Sequence, residues 1–232
     1  MEYTINLLKQ YEDKAYADFH SRLVPTVERE RIIGVRTPVI RTLAKELLKD
    51  ERFKSEMLPS FLNELPHYYY DETILHGAFI SREKDFQRAL YLTEQYLQSI
   101  DNWAACDLLD PKVFAKHKSE LLDIIKRWLS SDSIYTVRFG IVTLLRYYLD
   151  ADFDASHLEL VQKAKGDDYY IKMAKAWYYS TALVKQYDIT FDYVVKQIKD
   201  DWVKKKSIQK ARESFRLTPE QKDSLKVSAK HD

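Results

Sequence analysis

The sequence has few residues that interrupt regular secondary structure. Its 232 residues include only 4 glycines and 6 prolines, far below the usual share of these residues in globular proteins. No apolar run approaches the roughly 20 residues that a membrane-spanning helix needs. The opening stretch, MEYTINLLKQYEDK, lacks the basic start and apolar middle of a signal peptide. These absences predict long, uninterrupted elements in a cytoplasmic protein that does not associate with membranes.

Residues that support cofactor or metal chemistry are also scarce. Cys106 is the single cysteine, which excludes an internal disulfide framework and indicates a reducing compartment. We expect it to be a small buried apolar side chain. The sequence contains no glycine-rich phosphate loop, no CxxC and no HExxH motif, and its 6 histidines show no metal-ligand spacing. We therefore expect neither a cofactor nor a metal.

Net charge does not indicate a partner, because 37 Lys and Arg balance 36 Asp and Glu. A polyanion such as DNA would have to be held by a local basic patch. The segment WVKKKSIQKARESFR is the best candidate for that patch. Its candidate contacts to a phosphate backbone are Lys204, Lys205, Lys206, Lys210 and Arg212. The alternative is a solvated helix face without a partner.

Apolar residues recur at helical spacing through most of the chain, and no segment shows convincing strand alternation. In TPVIRTLAKELLKD, Thr37 suits the N-cap and Pro38 the first turn. Pro111 is expected to end or kink the helix that NWAACDLL begins. The segment YTINLLKQYEDKAYADFHSR supplies one long helix or two very short ones. We therefore predict more than ten helices, no sheet, and an irregular segment over RLVPTVERERIIGVRTP.

A weak internal repeat supports stacked helix pairs. Shifting residues 132–142 by 35 places Asp132 on Asp167 and Tyr135 on Tyr170. Periods of about 35–47 residues are typical of α-solenoids of HEAT or TPR type. We predict a single α-solenoid domain over residues 1–232, built from antiparallel helix pairs in a curved right-handed stack, and a monomer. An irregular helical bundle would give the same weak similarity.

Three features differ from this helical background. Trp103 and Asp107 lie one helical turn apart, so they share one face of a helix. Arg138 interrupts an apolar stripe and needs an anion or hydrogen-bond acceptors. Trp177 stands between small alanines, which would leave its indole clear. The structural alternative is that the indoles fill separate helix interfaces and that Asp107 pairs with Arg138 across two helices.

Four segments, GVRTPVIRTLAKEL, NWAACD, SSDSIYTVRFGIVTLL and AWYYS, follow one another in this order. Their order and spacing resemble the HEAT-like-repeat DNA alkylation repair proteins, the AlkD-like alkylpurine DNA glycosylases, from roughly Ile33 into the basic tail. The resemblance implies an all-α solenoid whose concave basic face holds double-stranded DNA. It implies that Asp107 is the catalytic carboxylate, that Trp103 and Trp177 line the lesion cleft, and that Arg138 lies there at the DNA backbone.

The residue types suit the reaction that the resemblance implies. An N3- or N7-alkylated purine is already cationic, so it leaves without a strong general acid. Positive charge then grows on the deoxyribose, where a carboxylate stabilises it. Indole faces attract cations by about 0.5–2 kcal/mol. We expect a DNA N-glycosylase for cationic alkylpurines, with the four residues converging on one cleft. The alternative is a non-catalytic solenoid that binds DNA structure or a protein on the same face.

Overall fold

The computed structural model describes residues 2–228, which form 14 α-helices and no strand. They divide into two compact units, Met1–His117 and Lys118–Asp232. The helices of the first unit are α1 (Glu2–Lys9), α2 (Lys14–Ser21), α3 (Thr37–Leu47), α4 (Leu58–Asn63), α5 (Tyr70–Ile80), α6 (Phe86–Ser99) and α7 (Trp103–Leu108). Those of the second are α8 (Lys118–Leu129), α9 (Ile134–Tyr147), α10 (Ser156–Lys163), α11 (Tyr169–Lys185), α12 (Tyr187–Lys196), α13 (Asp201–Glu213) and α14 (Pro219–Ser228).

Side-chain caps define where many of these helices begin. A carboxylate, amide or hydroxyl oxygen in the N-cap residue accepts a hydrogen bond from a backbone N–H of the first turn, which has no partner within the helix. The residues that cap in this way are Asp13, Asp85, Asn102, Ser133, Asp168 and Asp200. The starts of these six helices are therefore determined by a residue at the helix end itself.

Helix α5 is the centre of the first unit. All 11 of its residues are buried, and it packs against α1, α3, α6 and α7. A helix that is covered on every side shows no amphipathic pattern. Its sequence, YDETILHGAFI, accordingly places two carboxylates and a histidine in the interior, where each needs a polar partner.

The carboxylate of Asp71 holds the irregular segment before α3. It accepts hydrogen bonds from the backbone N–H groups of Ile33, Gly34 and Val35, the first and last at 2.7 Å. Gly34 has a φ of +95°, and a Cβ there would lie 2.3 Å from the carbonyl oxygen of Asp13, so only glycine fits. Burial raises the pKa of Asp71 to about 6, although the three N–H donors act in the opposite direction.

Two buried histidines of the first unit bind each other. His67 Nε2 and His76 Nδ1 lie 2.8 Å apart, and the Phe61 ring stacks on His67 with a centroid distance of 4.4 Å. Burial disfavours the imidazolium form, which lowers the pKa of His67 to about 4 and that of His76 to about 3. Both rings are neutral in the folded protein near neutral pH.

This histidine pair predicts a loss of stability in acid. Between pH 6.5 and 4 the unfolded chain takes up protons at His67 and His76 while the folded chain does not, so the free energy of unfolding falls as pH falls. Each histidine contributes up to about 1.4 kcal/mol per pH unit. The raised pKa of Asp71 acts in the opposite direction over part of this range. Urea unfolding of the protein and of His67→Gln across this range measures the slope, which should be shallower in the variant. Equal slopes would contradict the prediction.

The second unit consists of three successive helix pairs and a terminal helix. The pairs are α8 with α9, α10 with α11, and α12 with α13; α14 packs on α13. Helices α9, α11 and α13 lie side by side in one layer, and α8 contacts α10 in the other. Stacked helix pairs of this kind define an α-solenoid. The predicted all-α fold class and the prediction of more than ten helices are confirmed.

The weak repeat seen in the sequence corresponds to neighbouring helices. Tyr135 of α9 and Tyr170 of α11, which the 35-residue shift superimposes, bring their rings to a centroid distance of 6.1 Å. Ion pairs connect α11 to the next helix of this layer, since Lys172 in α11 lies 2.7 Å from Asp167, just before α11, and 3.0 Å from Asp200, the N-cap of α13. The right-handed curvature and the concave DNA-binding face stay predictions.

Three local expectations are settled by the structure. The N-terminal segment forms two eight-residue helices, α1 and α2, rather than one long helix. Thr37 is not the N-cap of α3: Arg36 occupies that position in extended conformation, and Pro38 lies in the first turn, where its missing N–H costs nothing. Two further helical segments were not foreseen, the π-helical turn Phe53–Met57 and α4. None of the helices within residues 2–228 is long and apolar enough to span a membrane.

Candidate functional site

Helix α7 carries the first two candidate site residues and has sharply defined ends. Asn102, only 1% exposed, caps it by accepting a hydrogen bond of 2.8 Å from the backbone N–H of Ala105. The helix ends at Leu108, and Pro111 begins a separate 3-10 turn over Lys112–Lys116. The predicted break at Pro111 is confirmed. Six residues give α7 less than two full turns, so its neighbours determine its orientation.

Trp103 and Asp107 lie on the accessible side of α7. Ala104, Ala105 and Cys106 between them are buried, which confirms the expected role of Cys106. Trp103 and Asp107 themselves are half-buried. The one-turn spacing therefore does place an indole and a carboxylate together on the face that solvent reaches.

The indole of Trp103 is fixed by a distant backbone atom. Its Nε1–H donates a 2.8 Å hydrogen bond to the carbonyl oxygen of Leu23, in the loop between α2 and α3. That loop is itself anchored, because Val24 and Val27 are buried and the Val27 N–H donates to the Val24 carbonyl. Leu23 itself remains 44% exposed. This hydrogen bond holds one edge of the indole and so fixes the orientation of the ring.

This bond predicts a specific effect of Trp103→Phe. The phenyl ring retains an aromatic face but cannot donate to Leu23, so a carbonyl loses its partner and the ring loses its fixed orientation. We expect the free energy of unfolding to fall by about 1 kcal/mol and base release, if the protein excises bases, to fall more than DNA binding. Denaturant unfolding and single-turnover assays measure both. A Trp103→Phe protein with unchanged stability would show that the hydrogen bond contributes nothing.

Arg138 is buried, unlike an arginine that lies on the protein surface. It lies in α9 with 6% of its surface exposed, and its Nη1 donates a 2.6 Å hydrogen bond to the carbonyl oxygen of Tyr170 at the start of α11. A buried guanidinium requires such acceptors. Arg138 therefore joins α9 to α11.

Trp177 is the more accessible of the two candidate indoles. It lies in the middle of α11 and is 37% exposed, while Ala176 before it and Tyr178 after it are buried. An indole that stands clear of the core in mid-helix contributes little to packing. For Trp177 the core-filler alternative is therefore disfavoured.

The candidate basic residues lie on α13, in the same helix layer as Arg138 and Trp177. Lys205 and Arg212 are exposed, and Lys206 and Lys210 are half-buried. Lys204 is only 8% exposed, so its stem packs along the helix and at most its ammonium group reaches solvent. The exposed cations are spread over about two turns of α13.

The sequence-predicted residues thus fall into two groups. Trp103 and Asp107 lie together in the first unit, and Arg138 and Trp177 lie on adjacent helices of the second. Convergence of the two groups on one cleft stays a prediction. Within the described part of the chain, no three His, Cys, Asp or Glu side chains are grouped so that they could hold a metal ion.

Sequence reasoning missed two features that position these residues. The carbonyl of Leu23 is a backbone atom, so no residue type signals its role. The capping amide of Asn102, by contrast, carries a recognisable signal, because asparagine immediately before a helix is a favoured N-cap.

The stacked helix pairs of the second unit define a helical-repeat protein of the α-solenoid class. The family model described as DNA alkylation repair enzyme matches residues 4–215, and the chain belongs to this family. The suspected family is confirmed, and with it a role in DNA alkylation repair. A search of curated proteins gave no match.

Proposed function

We propose that the protein is a DNA N-glycosylase that releases cationic N3- and N7-alkylpurines from double-stranded DNA. The observation that carries this proposal is the accessible face of α7. There the Leu23 carbonyl fixes the indole of Trp103, and Asp107 lies one turn away on a helix whose other side is buried. Membership of the DNA alkylation repair family supports the choice of substrate.

The chemistry requires little more than that arrangement. The alkylated purine leaves as a neutral base once the glycosidic bond breaks, so no acid has to protonate it. The deoxyribose becomes an oxocarbenium-like cation, which water then attacks. A carboxylate beside the sugar stabilises this cation and orients the water. We assign this role to Asp107 and the attraction of the cationic base to the indole faces of Trp103 and Trp177.

The second unit would supply binding to the DNA backbone. Phosphate contacts dominate the affinity of proteins for DNA, and they come mainly from Lys and Arg. We assign them to Arg138 and to the α13 cations Lys204, Lys205, Lys206, Lys210 and Arg212. The burial of Lys204 makes it the weakest contributor.

A base-release assay tests the proposal. Duplex DNA treated with a methylating agent is incubated with the protein, and free 3-methyladenine and 7-methylguanine are separated by chromatography. Release above the spontaneous rate supports the proposal, and an unmethylated duplex serves as the control. A protein that binds this DNA but releases no base above background would contradict it.

A non-catalytic role is the second candidate, and the burial of Arg138 favours it. A guanidinium that is 6% exposed and bonded to the Tyr170 carbonyl already has a structural role without a substrate. In that case the chain would bind DNA structure or a protein. Equal affinity for methylated and unmethylated duplexes, without base release, is the result expected of this alternative.

A further inference from the structure

A single aromatic side chain is fully exposed at the turn between α13 and α14. Phe215 is 102% exposed, more than any other large apolar side chain among the described residues. Side chains of this size are normally at least partly covered, and exposed aromatic groups often mark binding sites. The family match ends at residue 215, so Arg216 and α14 lie beyond the part of the chain that the family defines.

The turn that presents Phe215 is well held by its neighbours. Leu217, two residues before α14, and Leu225 within it are both buried. The Ser214 N–H donates to the Ala211 carbonyl, and the Arg216 N–H donates to Ser214 Oγ at 3.2 Å. The exposure of Phe215 is therefore a property of an ordered turn.

The start of α14 is fixed as well. Thr218 and Gln221 exchange two hydrogen bonds in a capping box, at 3.0 and 3.2 Å. The hydroxyl of Tyr187 in α12 donates to the Gln221 carbonyl. The backbone that carries the ring is therefore already ordered, so binding a partner costs the conformational freedom of the Phe215 side chain alone.

The surroundings of Phe215 are basic. Arg212 precedes Phe215 in the sequence and Arg216 follows it, and both arginines are exposed. Residues 205–227 contain seven Lys or Arg and three Asp or Glu. The carboxylate nearest in sequence is Glu213, which accepts a hydrogen bond from Gln209. An exposed ring with exposed arginines three residues before it and directly after it in the sequence matches a ligand with a flat π-face and flanking anions.

We infer that Phe215, with Arg212 and Arg216, forms a binding site for an unpaired nucleobase of DNA. The ring would stack on the base, and the guanidinium groups would bind the phosphates on either side. A base inside an intact duplex has both faces covered by its neighbours, so the site favours single-stranded or gapped DNA. This inference rests on the DNA-directed role of the family and not on base excision.

Fluorescence anisotropy with labelled, undamaged oligothymidylate and with an intact duplex of equal length tests the site. Phe215→Ala should raise the Kd for the single strand about tenfold and leave the Kd for the duplex within about twofold. Phe215→Trp should retain the affinity for the single strand. Arg212→Gln and Arg216→Gln should each lower the salt dependence, reducing the slope of log K against log salt by about 0.7.

Ile189→Ala is the matched control. Ile189 is also an exposed apolar side chain of the second unit, at 53%, but it lines a hollow with the carboxylates Glu159 and Asp192. Its removal should leave both Kd values unchanged. Circular dichroism melts should show that Phe215→Ala folds like the parent protein, since its ring has no packing to lose.

Three results would overturn the inference. The first is an unchanged Kd of Phe215→Ala for the single strand, and the second is an equal loss on single strand and duplex. The third is that the protein forms a dimer and that Phe215→Ala makes it monomeric without changing its DNA affinity. That result would mean that the ring serves self-association. Because the probes carry no alkylated base, a protein that fails to release methylated bases still gives a clear answer here.

Discussion

Asp107→Asn is expected to lower base release by a factor on the order of 10²–10³, the usual loss when one preorganised charge-stabilising group is removed. The amide keeps the shape of the carboxylate and removes its negative charge. The cation that forms on the deoxyribose then has no stabilising partner. DNA binding should change little, or become tighter, because an anion has been removed from a surface that faces phosphates. Single-turnover base release and equilibrium binding measure the two effects separately.

A thermal melt of the same variant separates this role from a structural one. If Asp107 served only to join helices, Asp107→Asn would lower the melting temperature and base release would follow stability. Arg138→Ala is the informative comparison, because it removes the hydrogen bond to the Tyr170 carbonyl and should lose both stability and DNA affinity. A stable Asp107→Asn protein with undiminished base release would remove Asp107 from the mechanism.

Asp71→Ala is expected to cause the largest loss of stability of any single change in the first unit. It leaves the buried N–H groups of Ile33, Gly34 and Val35 without their acceptor. An unsatisfied buried donor costs about 1–3 kcal/mol, so the loss of an acceptor for three donors should lower the free energy of unfolding by about 3 kcal/mol or more. That is a large fraction of the 5–15 kcal/mol or so typical of a whole protein. Urea unfolding at pH 7 measures the loss.

Asp71→Asn provides the matched control, since it keeps one acceptor oxygen in nearly the same volume. It should lose clearly less stability than Asp71→Ala. Near-equal losses would show that the charge, rather than the hydrogen bonds, is what the segment over residues 33–35 needs. A loss below about 1 kcal/mol in Asp71→Ala would show that the segment rearranges to find other acceptors.

Local sequence signals predicted most of the helices because their causes are local. The apolar spacing of α9 and α11 and the break at Pro111 can be seen without tertiary information. The π-helical turn Phe53–Met57 escaped prediction because it has no such periodic pattern. The charges of Asp71 and Glu72 favour the start of a helix, yet both side chains are fully buried. Burial of α5 depends on four neighbouring helices, which no window of sequence contains.

The shared position of Trp103 and Asp107 on one side of α7 could be predicted from their one-turn spacing, whereas the contacts that hold the candidate residues could not. The role of these residues in a site stays a prediction, and the family match covers the four segments within residues 4–215. The apolar stripe around Arg138 already indicated that this arginine needs buried acceptors, but the burial of Lys204 depends on how α13 packs, and its residue type alone suggested greater exposure. The amino-acid sequence of the α2–α3 loop does not indicate that the Leu23 carbonyl orients the Trp103 indole.

The hydrogen bond from Trp103 to Leu23 joins residues 80 positions apart. One wall of the proposed site therefore lasts only while the loop after α2, near this end of the chain, stays packed. A transient opening of that end would release the indole while the rest of the molecule stayed folded, and such partial openings cost less than global unfolding. Base release should then decline at denaturant concentrations below the main unfolding transition. Hydrogen exchange at the Val24 and Val27 amides should accelerate over the same range.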